Sequence, residues 1–270
     1  MDINFKCGYY IQNRLWEISA DLNVDKQYYS KLKKLLEIKQ VEDFALIRVG
    51  LEDGDGGYIM LNDFQDRGVA YSFGISNDVT WDNIMAELGY DIYMYDHTIT
   101  NLPYERKEFH FFREGISGEN EKDQPLKTLE YFIERNNHVL NKNMILKMDV
   151  EGAEWDFLET VDSNILNQFD QIVFEMHNII HAGYGDKILR LLDKINETHA
   201  VVHVHGNNSG WILTVGNTIF PDVLEITYVN KNKYKIMENK DICLPLQIDS
   251  ANDRGRKDII LGDWNKPLKI

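Results

Sequence analysis

The chain has 270 residues, 43% apolar and 27% charged, which suits one large core or one domain with an appended cap and excludes a disordered or membrane-embedded chain. Its 29 Lys and Arg against 44 Asp and Glu leave a net charge of −15, a field that repels phosphate backbones and anionic lipid faces and argues against nucleic-acid partners. No run approaches the 18 or so apolar residues of a spanning helix, the start MDINFKCGYY lacks a secretory pattern, and Cys7 and Cys243 offer neither a disulfide framework nor CxxC spacing, so a reducing, cytoplasmic setting without membrane insertion is expected.

Residues 10–43 contain neither Gly nor Pro, and Leu15, Ile18, Leu22, Leu32, Leu35 and Leu36 recur near helical spacing. This predicts one or two amphipathic helices, with Lys31, Lys33 and Lys34 on a solvated face, and marks residues 1–44 as an N-terminal helical extension. Residues 45–50 read as a short strand, 53–57 as a Gly-rich loop and 58–61 as a second strand. Strand and helix then alternate. Strands are predicted at 69–73, 91–95, 109–113, 144–148, 171–174, 201–204 and 223–229, with helices at 81–88, 128–135, from 154 past 164, and 185–196. Such alternation argues for an α/β fold with a parallel sheet over 45–235, leaving 236–270 as a C-terminal appendage.

In an open α/β sheet, ligands lie beyond the carboxyl ends of the strands. The residues expected there are dense in polar groups: Gly74 with Ser76 and Asp78, Asp96 with His97, Glu114 with Gly115, Asp149 with Glu151, Glu175 with His177, and His203 with His205. Gly74 lets backbone approach a ligand closely. Asp96 follows 22 residues later at the end of the next strand, where a carboxylate grips a ribose diol. Only Gly74 is glycine in residues 73–78, so the full phosphate-cradling GxGxxG is missing. A nucleoside ligand without pyrophosphate, such as S-adenosylmethionine, fits better than NAD.

The run Leu146-Lys147-Met148-Asp149-Val150-Glu151-Gly152-Ala153-Glu154 resembles the signature of the FkbM-type methyltransferases, S-adenosylmethionine-dependent enzymes that methylate hydroxyl groups, often on sugars or polyketides. Residues 48–50 with Asp55-Gly56-Gly57-Tyr58, residues 71–76 and Tyr95-Asp96-His97-Thr98 are similar to a bacterial branch associated with surface polysaccharides. The resemblance spans residues 48–208. It implies a Rossmann-like class I methyltransferase sheet, with Gly74, Ser76 and Asp78 beside the amino-acid part of the cofactor and Asp96, with His97 next to it, at the ribose. Glu114 and Gly115 would border the adenine, and Asp149 would stand at the methyl donor's end.

A second constellation comprises Asp149, Glu175, His177 and His205, on strands expected to be neighbours. Carboxylate oxygens with an imidazole suit Mg²⁺ or Mn²⁺, and Asp149, Glu175 and His205 are the expected ligands. Such an ion would acidify a substrate hydroxyl. His203 and His205 are expected to send their rings to opposite faces of the strand, so that at most one joins the site, with Asn207 and Asn208 nearby to supply an amide ligand or orient a substrate hydroxyl. His177 is the first candidate base, because imidazole titrates near neutrality. Glu151 is the second, unless it caps the following helix, and His181 the third. Trp211 is a candidate substrate contact, and the basic island at 253–257 a candidate dock for an anionic acceptor.

These readings converge on O-methyl transfer to a small polar acceptor, a saccharide or its activated precursor, with methylation of a phosphate-like oxygen as a lesser alternative. Two rivals stay open: a metal-dependent hydrolase built on Asp149, Glu175, His177 and His205, and a binding module that pairs, as a homodimer for instance, through its N-terminal helices.

Overall fold

The computed structural model describes residues 17–18, 25–64, 68–181 and 185–268. Cys7, Leu15 and Leu22 fall outside them. In chain order, β1 (Glu17–Ile18) precedes α1 (Lys26–Leu35), β2 (Lys39–Val41) and a hairpin of β3 (Leu46–Gly50) and β4 (Gly57–Leu61). Then come β5 (Val69–Phe73), α2 (Thr80–Glu87), β6 (Asp91–Tyr95), β7 (Phe109–Phe112), β8 (Gly115–Ile116), β9 (Leu126–Lys127), α3 (Leu129–Arg135) and β10 (Met144–Met148). The remainder runs through α4 (Glu154–Thr160), α5 (Ser163–Leu166), β11 (Phe169–Met176), α6 (Gly185–Thr198), β12 (His199–Gly206), β13 (Ile212–Val215), β14 (Thr218–Pro221), β15 (Leu224–Asn230) and β16 (Ile236–Glu238).

Seven strands form the central sheet in the order β12-β15-β11-β10-β5-β6-β7. Every predicted sheet strand is present. β5, β6, β7, β10 and β11 are mutually parallel, but β15 runs antiparallel to both its neighbours. The all-parallel expectation therefore fails at β15. It reaches its place by the short hairpin-like return from β12 through β13 and β14, without the helical crossover a parallel neighbour would need. The order reverses between β5 and β10, which makes the carboxyl ends of these two strands the topological switch point.

Alternation along the strands separates two apolar clusters. Tyr71 and Phe73 of β5, Leu146 and Met148 of β10, and Phe174 of β11 face a core shared with α1, α3, α4 and α6. Ala70, Ile145 and Val173 face the other way, toward α2 and the β3–β4 hairpin. On α6, Ile188, Leu191, Leu192 and Ile195 form the predicted buried stripe.

Of the N-terminal extension, residues 17–18 and 25–44 are described, and α1 is one amphipathic helix of the one or two expected. Only α1 is helical among its described residues, Ile18 pairs with Leu213 in a small sheet, and β2 pairs with β16. Lys33 is buried rather than solvated, donating to Thr218 Oγ1 at 3.3 Å and lying over the Trp264 ring. Burial holds its ammonium down to about 8. The helix begun at Glu154 breaks at Val161, where Asp162 caps the backbone N–H of Asn164 and starts α5. The C-terminal stretch joins the same core through Ile259, Leu261 and Trp264. No described helix is long and apolar enough to cross a membrane.

Candidate functional site

Strand parity decides which ionisable groups meet. Lys147 shares a face of β10 with Ile145, Glu175 shares one of β11 with Val173, and both faces lie under the β3–β4 hairpin. Glu225 of β15 is the cross-strand partner of Glu175, and His205 of β12 is the cross-strand partner of Glu225. A line of buried polar groups thus crosses the sheet beneath the loop that carries Asp55 and the strand that carries Tyr58.

The loop after β5 is built around Gly74, at φ +76°, where an added Cβ would lie 1.6 Å from the carbonyl oxygen of Asp149. Lys147 Nζ donates to the Gly74 carbonyl at 2.8 Å, and Ser76 takes a left-handed φ of +51°. This conformation turns two backbone amides onto Asp96. Its Oδ2 accepts from the N–H of Ile75 at 2.9 Å and of Ser76 at 2.8 Å. Its Oδ1 accepts from the Thr98 N–H at 2.8 Å and hydroxyl at 2.6 Å. Burial opposes ionisation of Asp96, but these bonds outweigh it and hold the carboxyl below its usual range.

A cavity of about 630 Å³ opens at this switch point. Of the predicted cofactor contacts, Gly74, Ser76, Asp78, Asp96, His97 and Gly115 line it. Glu114 does not, and is paired with Arg135. Asp78 Oδ1 also accepts from the Thr80 N–H at 2.7 Å, fixing the start of α2. Tyr58, Asp82 and Lys147 also line the cavity, as do Asp55, Arg254, Asp149 and Glu151. Asp82 is buried, and burial lifts its carboxyl above its ordinary range against the pull of Lys147.

Asp149, Glu151 and His177 are brought together, each offering a ligand-type atom within 4.8 Å of the other two. The Tyr58 hydroxyl donates to Asp149 Oδ2 at 3.3 Å. Burial lifts the Asp149 carboxyl above its ordinary range, against the pull of Lys147 and His177. His177 sits behind the cavity wall, with Nδ1 3.2 Å from Glu154 Oε1 and Nε2 3.4 Å from Glu151 Oε2. Burial opposes its protonation, but Glu154 and the other nearby acids raise it above the ordinary imidazole value. Glu154, not Glu151, organises the turn into α4, since its Oε1 also accepts from the Val150 N–H at 2.8 Å. His181 is exposed and, like Trp211, does not line the cavity.

The structure regroups the expected metal ligands. Because β15 lies between β11 and β12, the fifth and sixth parallel-strand ends are not neighbours, and His205 is separated from Glu175 by Glu225. Both ring nitrogens of His205 are taken, Nδ1 by Glu225 Oε2 at 2.9 Å and Nε2 by Asp258 Oδ1 at 3.0 Å. Burial opposes its protonation, yet these acids bring it up to about 10. The rings of His203 and His205 do not diverge, as residues two apart on a strand share a face. His203 is held instead by Asp249, at 3.1 Å. Asn207 donates to Glu175 Oε1 at 3.0 Å, while Asn208 secures the loop at 253–257. Among the described residues, a second set of clustered acids is Asp55, Glu175 and Glu225.

The model of the methyltransferase FkbM domain matches residues 62–200, just over half of the chain. The chain belongs to the FkbM methyltransferase family. Its sheet is accordingly the Rossmann-like methyltransferase sheet expected, and methyl transfer is its general chemistry. The family match begins just after β4 and ends inside β12, so Asp55, Tyr58, Glu225 and the segment containing Arg254 lie outside it. No curated protein matches the chain. Solved structures with some similarity include a provisionally described rRNA methylase from Clostridium thermocellum, 7% identical over 62% of this chain and 88% of that one, TM-score 0.36. Another is a provisionally described hemolysin from Streptococcus thermophilus, 10% identical over 75% of this chain and 83% of that one, TM-score 0.36.

Several site residues of this FkbM methyltransferase escape the strand-end rule. Lys147 and Glu225 lie inside apolar strands, and their signal is a lone charge in a buried run, which calls for a partner. Asp55 and Tyr58 come from the hairpin before the Rossmann-like region, and Glu154 from the signature itself.

Proposed function

We propose that the protein is an S-adenosylmethionine-dependent O-methyltransferase acting on a hydroxyl of a small polar acceptor, a saccharide or activated sugar. The observation that carries this reading is the cavity at the switch point of a methyltransferase-family sheet, lined by the Gly74 loop, Asp96 and Asp149. Its volume falls within the roughly 300–1,000 Å³ of small-molecule sites. Two features fit this cofactor. Backbone at Gly74 approaches the next strand too closely for a side chain, and Asp82 puts a carboxyl on the cavity wall.

When bound, S-adenosylmethionine supplies a methyl group on an electrophilic sulfonium. The chain's own task is to hold and deprotonate the acceptor, since positioning alone is worth about 7–11 kcal/mol and needs no covalent intermediate. Asp149 is the group placed to take the hydroxyl proton at the cavity wall. Its raised carboxyl is a better base than an ordinary aspartate, and the Tyr58 hydroxyl orients it. His177, held by Glu154, is a positioning residue behind Asp149 and Glu151, and these acids favour its charged form. Asp96 acts by fixing the amides of the Gly74 loop, and His97 and Gly115 border the far end.

An acceptor end lined by Asp55, Asp149 and Glu151 favours a neutral polyol over an anion. Arg254, held by Asp53 on the same cavity wall, is where the phosphate of an activated sugar would be met. The testing experiment is transfer of labelled methyl from S-adenosylmethionine to a panel of free and nucleotide-linked sugars. Asp149→Asn should lower kcat about 100-fold or more while leaving cofactor affinity within a few fold. Equal turnover by the variant would remove Asp149 from this role.

A further inference from the structure

The geometry points to a divalent-cation site formed by Asp55, Glu175 and Glu225, one that would hold Mg²⁺ or Mn²⁺ behind the part of the cavity wall that Asp55 forms. One carboxylate oxygen from each residue lies within 4.8 Å of the other two. Oxygens facing each other across a shared ion bound at 2.1–2.4 Å are roughly 4.2–4.8 Å apart, so a single cation can satisfy all three. Three hard oxygen donors with no thiolate favour these ions over softer metals.

Two buried side chains support this independently of the clustering. Glu175 is 6% exposed; its Oε1 accepts from Asn207, but its Oε2 is buried with no hydrogen-bond partner among the described residues. Asn252 is 7% exposed, and its Oδ1 is equally orphaned. The amide nitrogen of Asn252 now stands where a cation's charge is wanted, donating to Asp55 Oδ1 at 3.0 Å and Glu225 Oε1 at 2.6 Å. A half-turn of this amide would present the unpartnered oxygen to the same two residues as a fourth ligand. Unsatisfied polar atoms this deep are costly, and a cation resolves both at once.

The surroundings are built as a supporting shell. His205 holds Glu225 Oε2 and leaves Oε1 toward the cluster, while Asn207 orients Glu175. Asp55 and its loop are tied down from the C-terminal segment by Ser250, which donates to Asp53 Oδ1 at 2.6 Å and accepts from the Gly54 N–H at 3.0 Å. Asp55 lines the cavity and Glu175 lies 3.5 Å from His177, so the ion would sit beside Asp149, where an acceptor hydroxyl is expected. Asp55, Glu225 and Asn252 all lie outside the family-matched region, which makes the site a feature of this chain's hairpin, β15 and C-terminal segment.

The test is calorimetric titration of the chelator-treated full chain with MnCl₂ at neutral pH and without S-adenosylmethionine, with Mn²⁺ paramagnetic resonance as a second readout. Binding is read without turnover, so its outcome is separate from that of the methyltransferase reading. One Mn²⁺ per chain is expected, weakened roughly tenfold or more in Asp55→Asn and in Glu175→Gln and retained in Glu151→Gln. Asp55 is exposed on a loop, so Asp55→Asn keeps the test valid should Glu175→Gln misfold. Absence of saturable binding in folded wild-type protein would overturn the site. So would binding that survives Asp55→Asn, or that is lost in Glu151→Gln, which would place the ion on Asp149, Glu151 and His177.

Discussion

Glu175 and Glu225 are directly paired residues on adjacent antiparallel strands, both buried and both acidic. Like charges in this relation destabilise a sheet, and a buried one more so. Burial, then the charges of Asp149 and Glu225, push the Glu175 carboxyl far above its ordinary range. A carboxyl raised on folding is no liability below its unfolded value near 4.5, and its cost grows as pH rises above that value.

Metal-free Glu175→Gln is therefore expected to be more stable than wild type at pH 8, by about 1 kcal/mol or roughly 2–4 °C in Tm. The gap should close toward pH 4.5. Thermal melts across this range in chelator decide it, and a variant less stable than wild type at pH 8 would contradict the repulsion argument.

Gly74→Ala tests the switch-point loop. The new Cβ would fall 1.6 Å from the Asp149 carbonyl oxygen, at a φ that L-residues rarely adopt. Backbone must move at both strand ends, at a cost of about 3 kcal/mol or more, and S-adenosylmethionine affinity should fall at least about tenfold. A variant with wild-type Tm and affinity would show that the approach is not rigid.

Asp96→Ala removes the acceptor of four hydrogen bonds, leaving the amides of Ile75, Ser76 and Thr98 without their carboxylate. Loss of cofactor affinity should be accompanied by a fall in stability of about 2–4 kcal/mol, because the loop loses its anchor. Loss of affinity with stability untouched would instead assign Asp96 to ligand contact alone.

His199 gives a pH prediction remote from the site. It lies between Thr198 Oγ1 and the Phe169 carbonyl, and burial holds its imidazole down to about 4. The unfolded chain takes up this proton near pH 6.5 and the folded chain does not, so stability falls as pH drops from about 6.5 to 4, by at most about 3 kcal/mol. His199→Gln should flatten that part of the Tm–pH curve. An unchanged slope would show that His199 does not contribute it.

The seven strands and most helices are legible in the sequence because each is a local run of apolar residues closed by polar or glycine turns. Strand order is not local. The insertion of β15 between β11 and β12 replaces His205 with Glu225 as the neighbour of Glu175, and no periodicity in residues 223–229 announces it. The small hairpin of β13 and β14 does carry a signal, the Gly216-Asn217 step between two short apolar runs, with Gly216 at φ +58°. Gly74, Asp96 and Asp149 are legible because strand ends are. The Asp55–Asn252 contact is not, since it joins residues 197 apart whose types alone suggest only solvated loops.

The cavity lined by Gly74, Asp96 and Asp149 is the proposed seat of S-adenosylmethionine. Calorimetric titration of the chelator-treated protein with that compound tests it most directly. Saturable binding at one site per chain, weakened in Asp96→Ala, is the predicted result. No binding up to millimolar concentration, repeated with Mg²⁺ or Mn²⁺ restored, would contradict it.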